Sequence, residues 1–581
     1  MRELKQLFSY FGPYRKDLLI GSLLVLIETS FELIIPVLMA DLLDVGVAAR
    51  DVPYILNKGI QMAICALLAL LTGLLYARFA ARAAYGFGAR LRDAEYEKVQ
   101  TYSFSNLDHF DTASLITRIT TDVNVMQNAL TGGLRPMVRG PVMLIMGIGL
   151  SIWMNAKLSL VFFVCSPILA LILFFIVRKI APMYGKLQKT VDRVNSVVQE
   201  NLTAIRAVKA FVREDYEAEK FDQVNNELLQ TSERTFHYAV LNLPAFQFTM
   251  YAAAVLILWF GGNMILGGEL QVGDLTGFLS YVLQVMNALM MISNVFLLLT
   301  RSLASAKRIS ETLNQTPDIR SPESPVTQVQ NGSIDFDNVS FKYKTDAEEY
   351  ALQHVDLHIP AGQTVGIIGG TGSSKSSLVQ LIPRLYDAST GAVSVGNTDV
   401  RAYDLKTLRD AVGIVLQKNV LFSGTIRDNL RWGNPDASDE QLREACRVAC
   451  ADEFIKQMPN GLDTDLSQGG VNLSGGQKQR LCIARTLLKQ PKILILDDCT
   501  SAVDTATESH IRRELAKQKD MTKLIIAQRI TSVMDADRIL ILEDGKIHAD
   551  GTHDQLLQSD SIYKEIYASQ MKGGAAGGTE F

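Results

Sequence analysis

Six long apolar segments occupy the first half of the chain and alternate with polar, charged stretches. They cover residues 18–40, 59–79, 137–154, 158–177, 239–265 and 275–300. A helix needs about 20 apolar residues to cross the hydrocarbon core of a bilayer, so each segment predicts one membrane-spanning helix. Only residues 155–157 separate the third segment from the fourth, which predicts a tight helical hairpin there.

Basic residues are distributed unevenly among the connections between these segments. Residues 80–136 and 178–238 are long and rich in lysine and arginine, whereas residues 41–58 and 261–274 contain few basic side chains. Basic connections stay on the cytoplasmic side of a membrane. The pattern therefore predicts that both long loops and both chain termini are cytoplasmic.

The first residues predict a short amphipathic helix. Leu4, Leu7, Phe8 and Phe11 fall on one helical face, and a glycine and a proline follow them. We expect this segment to form an elbow that lies along the inner membrane surface before the first span.

The hydropathy pattern changes after the sixth apolar segment. Residues 321–325 carry two serine–proline pairs, which indicate a linker, and residues 333–343 then alternate as a strand does. We therefore divide the chain into a membrane domain of residues 1–320 and a second domain of residues 321–572. Residues 573–581 form a glycine-rich, low-complexity tail that is predicted to be flexible.

Composition mainly excludes function classes. A chain of 581 residues is too long for one core, and 48% hydrophobic residues with a mean hydropathy of +0.14 is high for a soluble protein. The formal net charge of −4 gives no indication of nucleic-acid binding. The six cysteines lack the spacing of metal ligands, so we expect them to be reduced packing residues.

A glycine-rich loop between a strand-like run and a helix-like run carries the clearest chemistry. It comprises Gly369, Gly370, Thr371, Gly372, Ser373, Ser374, Lys375, Ser376 and Ser377. Loops of this kind bind nucleotide phosphates: the glycines let backbone N–H groups approach, the lysine reaches the β- and γ-phosphates, and the hydroxyl of Ser376 binds Mg²⁺. The usual pattern is interrupted at Ser374, where glycine is the common residue.

Two further motifs complete a nucleotide site. Residues 492–498 form an apolar run that ends in Asp497 and Asp498, as a buried strand that presents a carboxylate to Mg²⁺ should. Just upstream, a helical segment opens with a short polar sequence whose N–H groups can hold a γ-phosphate. That sequence is Leu473, Ser474, Gly475, Gly476 and Gln477.

Together these motifs resemble the ATP-binding-cassette (ABC) proteins, whose signature sequence is LSGGQ. By that resemblance Gln417 lies in the Q-loop as a Mg²⁺ ligand, and Tyr343 stacks on adenine. The implied D-loop, which crosses between two cassettes, is Ser501, Ala502, Val503 and Asp504. The resemblance thus implies ATP and Mg²⁺ as cofactors, with Ser376, Gln417 and Asp497 as the metal ligands.

Six spans ahead of one cassette resemble a half-transporter of the ABC exporter family over nearly the whole chain. The implied fold is a membrane α-helical bundle, with six transmembrane helices and long cytoplasmic extensions, fused to an α/β P-loop ABC ATPase domain. Residues 110–123 and 198–217 resemble the segments that carry the coupling helices of such exporters, one of which docks on the partner's cassette. Periodicity alone predicts only long amphipathic helices in these segments.

Three positions depart from the family pattern. Asp498 stands where most cassettes have the glutamate that orients the attacking water, Gln528 replaces a histidine that reaches the γ-phosphate, and Ser374 replaces a glycine. Glutamine cannot carry a positive charge near neutral pH. With an intact signature, these departures imply a weakly hydrolysing site in a heterodimer whose second half-transporter brings the catalytic glutamate and the switch histidine. Neutral drift with hydrolysis preserved is the alternative.

Polar residues inside the predicted spans are candidates for a substrate path. Glu28 and Glu32 lie one turn apart in the first span, where they are available to a cationic substrate, to a proton or to an arginine such as Arg139. The sixth span carries a second set at helical spacing, namely Gln284, Asn287, Met291 and Asn294. We expect this stripe to face the bundle interior, with interhelical hydrogen bonding and packing as the alternative.

The sequence thus predicts an ATP-driven exporter of amphipathic or hydrophobic compounds, of multidrug type, in a bacterial inner membrane. Its expected partners are the second half-transporter, the lipid bilayer and hydrophobic small molecules. One alternative is a lipid or peptide exporter on the same scaffold. The other is an ATP-gated channel or membrane-bound regulator in which the degenerate site acts as a latch.

Overall fold

The computed structural model describes residues 2–344, 347–498 and 504–575. Two compact units divide the chain. The helical unit takes the residues up to Gln100 together with Thr112–Gln315, and the sheet unit takes Thr101–Asp111 together with the residues from Thr316 onward.

The helices of the first 315 residues follow the predicted apolar pattern. They are α1 (Arg2–Phe8), α2 (Arg15–Asp41), α3 (Val52–Gln100), α4 (Phe104–His109), α5 (Thr112–Thr117), α6 (Val123–Met154), α7 (Ala156–Thr203), α8 (Ile205–Ala210), α9 (Glu214–Val240), α10 (Asn242–Leu266) and α11 (Val272–Asn314). A 3₁₀ helix (Ser9–Tyr14) precedes α2, and π-helical turns follow α2 (Leu42–Val47) and α5 (Arg118–Asp122).

The predicted number of six spans is confirmed within the described part of the chain, where six helical stretches are long and apolar enough to cross a membrane. The hairpin predicted at residues 155–157 is also present, because α6 ends at Met154 and α7 begins at Ala156. The side chain of Asn155 starts α7 by accepting a hydrogen bond from the backbone N–H of Leu158 at 3.1 Å. With 48 residues, α7 is about 72 Å long at 1.5 Å per residue, and it extends far beyond the bilayer core.

The core of the helical unit forms where α11 packs against α2 and α6. Phe278, Tyr281 and Val285 on α11 are fully buried. Tyr281 donates its hydroxyl proton to the backbone carbonyl of Leu33 at 2.6 Å, which satisfies the polar end of this buried ring. A side chain at Gly140 would clash with Ile292, so the glycine lets α6 approach α11 closely.

The leading elbow packs on protein. Leu7 and Phe11 are buried, and the ring of Phe11 stacks on Phe87 with 4.2 Å between centroids. The chain turns at Gly12, whose φ of 43° lies in the left-handed region. The apolar face predicted to lie on the membrane is therefore buried against protein at these two positions, with α3 covering Phe11, while Phe8 stays exposed.

The sheet unit contains the remaining elements. Its strands are β1 (Ile334–Phe341), β2 (Leu352–Ile359), β3 (Thr364–Ile368), β4 (Thr390–Val395), β5 (Thr398–Asp399), β6 (Val412–Val415), β7 (Gly424–Thr425), β8 (Asp465–Leu466), β9 (Ile493–Asp497), β10 (Thr522–Ile526), β11 (Arg538–Glu543) and β12 (Lys546–Gly551). Its helices after residue 315 are α12 (Lys375–Leu381), α13 (Leu405–Ala411), α14 (Ile426–Arg431), α15 (Asp439–Val448), α16 (Asp452–Lys456), α17 (Gly475–Leu487), α18 (Thr505–Ala516), α19 (His553–Ser559) and α20 (Ser561–Ala575).

The parallel pairing of the strands determines which edge of the sheet carries the candidate binding residues. Among the described residues a six-stranded sheet has the order β12-β11-β3-β10-β9-β6, and β3, β9, β10, β6 and β11 are parallel. A four-stranded antiparallel sheet of order β2-β1-β4-β5 accompanies it. The carboxyl ends of β3, β9 and β10 meet at one edge of the larger sheet, which is where ligands of parallel sheets bind.

Two stretches differ from their predicted assignment. The short helix α4 groups with the sheet unit, where Phe104 lies edge-on to Tyr386 and Asp108 accepts a hydrogen bond from the hydroxyl of Tyr386 at 2.7 Å. These contacts involve residues just before the predicted segment 110–123 and lie within the sheet unit. The last helix, α20, includes residues 573–575 of the predicted tail, and residues 576–581 lie outside the described residues.

Candidate functional site

The glycine-rich loop joins β3 to α12, as the sequence predicted. The side chain of Lys375 lies against this loop and donates to the carbonyl oxygens of Gly369 at 3.0 Å and Gly370 at 2.8 Å. Burial lowers the pKa of Lys375, an effect that the nearby carboxylates of Asp497 and Asp498 oppose. The loop therefore keeps a cationic donor at the carboxyl end of β3.

Ser374 has a strained backbone. Its φ of 67° and ψ of 28° place it in the left-handed region, which glycine adopts without steric cost and other residues rarely do. The serine in the usual glycine position has therefore kept the loop conformation that a glycine would favour. Gly372, with a φ of 85°, occupies the same region.

Candidate ligands of Mg²⁺ converge at the end of β9. Asp497 is buried and accepts a hydrogen bond from the hydroxyl of Ser376 at 3.0 Å. Burial raises the pKa of the Asp497 carboxyl group, while the hydrogen bond from Ser376 lowers it. A hydroxyl and a carboxylate oxygen in contact match the oxygen ligands that Mg²⁺ prefers, so these residues fit a metal bound beside nucleotide phosphates.

The two substituted catalytic positions contact each other. The amide of Gln528 donates to Oδ2 of Asp498 at 2.6 Å, and the amide of Gln417 points at the same oxygen from 3.5 Å. The parallel pairing of Ile526 with Asp497 brings these positions together, because Gln528 follows β10 and Asp498 follows β9. The carboxylate at the catalytic-base position is thus engaged by neutral amides.

Most of the predicted ATP-binding residues surround one cavity of about 470 Å³. It is lined by Gly369, Gly370, Thr371, Gly372, Ser374, Lys375, Ser376, Ser377, Gln417, Asp497, Asp498, Ile526 and Gln528. Ser373 instead turns its hydroxyl to the carbonyl of Gly370 at 2.9 Å. Ile526, the last residue of β10, is a lining residue that the motif analysis missed.

Tyr343 lies beside the loop. Its hydroxyl is hydrogen-bonded to the hydroxyl of Ser377 at 2.8 Å, and its ring meets Phe341 and Tyr386 edge-on. The residue is 46% exposed. An exposed ring tied to the phosphate loop can stack on a base, in keeping with the role that the family resemblance implies for Tyr343.

Replacing Tyr343 with alanine should weaken ATP binding at this chain's own site by about 1 to 3 kcal/mol, the value of one base–aromatic stack. Tyr343→Trp should retain most of the affinity, and Tyr343→Phe isolates the contribution of the hydroxyl bond to Ser377. Photolabelling of this chain with an azido-ATP analogue over a range of concentrations measures the change. Equal affinity of the alanine and tryptophan variants would exclude Tyr343 as the adenine platform.

The signature sequence lies at the start of α17. Ser474 caps the helix by accepting from the backbone N–H of Gln477 at 3.3 Å, and the Gln477 side chain accepts from the N–H of Ser474 at 2.9 Å. Ser474 and Gly475 are exposed, Gly476 and Gln477 are half-buried, and only Leu473 is buried. None of the five is among the residues that line the described P-loop cavity. Within this chain the signature and the P-loop therefore form separate surfaces.

Of the predicted D-loop only Asp504 is described. It caps α18 by accepting from the backbone N–H of Thr507 at 2.9 Å, and this bond lowers the pKa of the Asp504 carboxyl group. Ser501, Ala502 and Val503 lie outside the described residues.

In the helical unit the predicted carboxylates form ion pairs with two arginines. Glu28 pairs with Arg135 and lies 3.7 Å from Arg139, and Glu32 pairs with Arg139. We call Glu28, Glu32, Arg135 and Arg139 the charge quartet. The glutamates were predicted to interact with a cationic substrate, a proton or an arginine such as Arg139. Of these alternatives, the structure contains the ion pair with Arg139. Sequence reasoning missed Arg135, although its spacing of four residues from Arg139 matches that of the two glutamates.

The polar residues predicted to form a stripe on α11 differ in their exposure to solvent. Asn287 and Asn294 are exposed, whereas Gln284 and Met291 are half-buried. The amide of Asn287 donates to the carbonyl of Leu283 on its own helix at 2.8 Å. Oε1 of Gln284 is buried and has no hydrogen-bond partner among the described residues. The contacts of Asn287 thus favour a free polar face over interhelical bonding.

Two family models match this chain, one in each half. A family model described as the ABC transporter transmembrane region matches residues 18–289, and one described as ABC transporter matches residues 352–501. The chain is 38% identical over 567 residues to the uncharacterized ABC transporter ATP-binding protein YfiB of Bacillus subtilis (strain 168), covering 98% of each sequence.

Two further relatives have names that describe a transported compound. The ATP-dependent lipid A-core flippase of Desulfotalea psychrophila (strain LSv54 / DSM 12343) is 32% identical over 572 residues, covering 98% of this chain and 99% of that protein. The putative multidrug export ATP-binding/permease protein YgaD of Bacillus subtilis (strain 168) is 30% identical over 582 residues, covering 98% and 100%.

A solved structure shares the fold. A bacterial Atm1-family ABC exporter with ATP bound superimposes with a TM-score of 0.80 at 24% identity, covering 96% of this chain and 99% of that chain. The predicted fold class, a bundle of membrane helices fused to an ABC ATPase domain, is confirmed.

Proposed function

The chain belongs to the ABC transporter family, as an ATP-hydrolysing half-transporter of exporter type, and from that premise we propose that it is one subunit of a heterodimeric exporter of amphipathic or hydrophobic compounds. The observation that carries the proposal is the contact between Gln528 and Asp498 at 2.6 Å inside a P-loop site that keeps Lys375, Ser376 and Asp497. The chain contributes the P-loop side of a weak site and the signature of a competent one.

The P-loop side is built to hold ATP. Lys375 supplies positive charge to the β- and γ-phosphates, and the backbone N–H groups of the loop surround them. Ser376 and Asp497 would hold Mg²⁺, which neutralises phosphate charge when bound, with Gln417 close by. Phosphoryl transfer needs mainly positioning and charge stabilisation, so binding is well provided for on this side.

The residues on the same side are poorly suited to catalyse ATP hydrolysis. The side chain of Asp498 is one methylene shorter than glutamate, and its Oδ2 accepts from Gln528. A carboxylate held in this way is less able to accept a proton from an attacking water. Gln528 can donate a hydrogen bond to the γ-phosphate but cannot place a positive charge there. ATP bound on this side therefore turns over slowly.

A second subunit is needed to complete each ATP site. The signature at the start of α17 is exposed and lies apart from this chain's P-loop cavity, so it is available to ATP held by another cassette. Helix α8 buries none of its residues, and Phe211 and Val212 directly after it are 78% and 80% exposed. Both surfaces suit a partner half-transporter that carries the catalytic glutamate and the switch histidine.

Two observations favour amphipathic or hydrophobic substrates. The polar face of α11 combines amides with Met291, and methionine suits a surface that accepts varied apolar shapes. A relative at 30% identity has the name putative multidrug export ATP-binding/permease protein. Lipid export is the second candidate, because another relative, at 32% identity, is named a lipid A-core flippase. We place the complex in a bacterial inner membrane, with the ATPase domain in the cytoplasm on the side of the basic loops.

Reconstitution of the complex, purified through a tag on this chain, tests the proposal. ATP should drive accumulation of a fluorescent amphiphile against its gradient in inside-out vesicles, and the amphiphile should stimulate hydrolysis. A Lys375→Ala complex whose partner carries the equivalent substitution is the inactive control. ATP-dependent passive conductance without accumulation would instead support an ATP-gated channel.

A further inference from the structure

The four side chains of the charge quartet differ in accessibility. The side chain of Glu28 is 3% exposed and that of Arg139 18%, whereas that of Arg135 is 42% exposed. Both carboxylates already have a guanidinium partner. The most accessible charge of the cluster is therefore the positive charge of Arg135.

Several buried polar atoms in this cluster have no hydrogen-bond partner among the described residues. They are Oε2 of Glu28, Oη of Tyr76 and the Nε atoms of Arg135 and Arg139. The guanidinium of Arg135 lies 6.0 Å from the centroid of the Tyr76 ring, so the tyrosine belongs to the same cluster. Buried polar groups without partners are costly, and the donors among them, the Tyr76 hydroxyl and the two Nε–H groups, favour a ligand that offers an acceptor.

The surroundings determine which side of the cluster is open. An added side chain at Gly73 would place its Cβ 3.3 Å from Oε1 of Glu28, so α3 closes the cluster on that side. Glu28 lies near the middle of the first span, at the depth of the hydrocarbon core. An arginine exposed to lipid at that depth is costly, so we expect the exposed part of the Arg135 side chain to face the interior of the bundle rather than lipid.

We propose that Arg135, with Tyr76 beside it, is a subsite for the acidic head group, a carboxylate or a phosphate, of amphipathic substrates. This inference rests on the proposed export function, whose substrate class it names. A guanidinium presents a planar fork of N–H donors that matches both head groups. Glu28 behind it shares its negative charge between two guanidinium groups, because Arg139 also lies 3.7 Å away.

Binding of three fluorescent amphiphiles to the purified complex without ATP tests the subsite. They share one alkyl chain and carry a carboxylate, a phosphate or a trimethylammonium head group. The wild-type complex should bind both anionic compounds more tightly than the cation. Arg135→Gln should weaken binding of the anionic compounds about tenfold, the loss of one charged hydrogen bond, and leave the cation unchanged.

Two matched variants separate a specific contact from a change in net charge. Arg135→Lys keeps the charge without the fork and should fall between the wild type and Arg135→Gln. Lys157→Gln removes an equal charge from an exposed ion pair with Glu269 and should have no effect. A carboxylate preferred over a phosphate, or the reverse, identifies which acidic head group the subsite takes.

Three results would overturn the inference. The first is equal binding of all three amphiphiles by the wild-type complex, and the second is unchanged binding of the anionic compounds by Arg135→Gln. The third is loss of the partner subunit when Arg135→Gln or Arg135→Lys is purified, because that result would assign Arg135 to assembly. Failure of the proposed export function has a separate readout. In that case the wild-type complex shows no stimulated hydrolysis and no accumulation of any amphiphile, whatever the head-group preference in binding.

Discussion

Replacing Ser474 with arginine should reduce ATP hydrolysis by the co-purified complex to below about one hundredth, because the signature completes the competent site and a bulky cation would displace the γ-phosphate from its donors. Lys375→Ala should leave at least about a tenth of the rate, since it damages only the weak site. Asp498→Asn should behave like Lys375→Ala. Steady-state ATPase of the three complexes measures this asymmetry.

A second capping serine provides the matched control. Ser438 at the start of α15 forms the same reciprocal hydrogen bonds with Gln441 that Ser474 forms with Gln477, and both serines are exposed. Ser438→Arg should cost the same stabilising cap, about 1 kcal/mol, without loss of hydrolysis. Equal losses in Ser474→Arg and Lys375→Ala would contradict the asymmetric assignment of the two ATP sites.

Replacing Arg139 with methionine should destabilise the membrane domain by about 1 to 3 kcal/mol, because the half-buried carboxylate of Glu32 loses its guanidinium partner. Arg139 is the residue of the charge quartet that contacts both glutamates, and Glu28 is almost fully buried. The expected result is a large fall in the thermal midpoint of the complex or loss of assembled material. Size-exclusion chromatography after heating of the detergent-solubilised complex measures it.

The double variant Arg139→Met/Glu32→Gln is the control for this prediction. It removes one positive and one negative charge and leaves Glu28 paired with Arg135. Part of the lost stability should return, because no unpaired carboxylate remains at Glu32. A double variant as unstable as the single one would show that Arg139 contributes through packing rather than through its charge.

The fold could be predicted well from the sequence because extended features of the chain, rather than single residues, specify it. Apolar segments of bilayer length identify six spans without reference to any partner, and the motif order identifies the ATPase domain. The place of α4 in the sheet unit and the end of α20 could not be predicted as well from the sequence. The hydrogen bond between Asp108 and Tyr386 joins residues that are 278 positions apart, and no local periodicity encodes such a contact.

The candidate site was predictable at the level of residue type and less so at the level of contacts. The departures at Asp498 and Gln528 are visible in the sequence, but their mutual hydrogen bond depends on the register of β9 and β10. The left-handed backbone of Ser374 follows from the loop geometry, which a serine does not suggest. Arg135 was missed because a pair between α2 and α6 requires knowledge of how these helices pack.

The most direct test of the heterodimer assignment is the steady-state ATPase rate of this chain purified alone, compared with the rate of the co-purified complex. We expect the pure chain to hydrolyse ATP slowly or not at all, because each of its sites would combine a good signature with Asp498 and Gln528. Restoring the common residues with Asp498→Glu and Gln528→His should raise that rate. Brisk hydrolysis by the unmodified pure chain, equal to that of the complex, would show that this chain needs no partner with a catalytic glutamate and would contradict the heterodimer assignment.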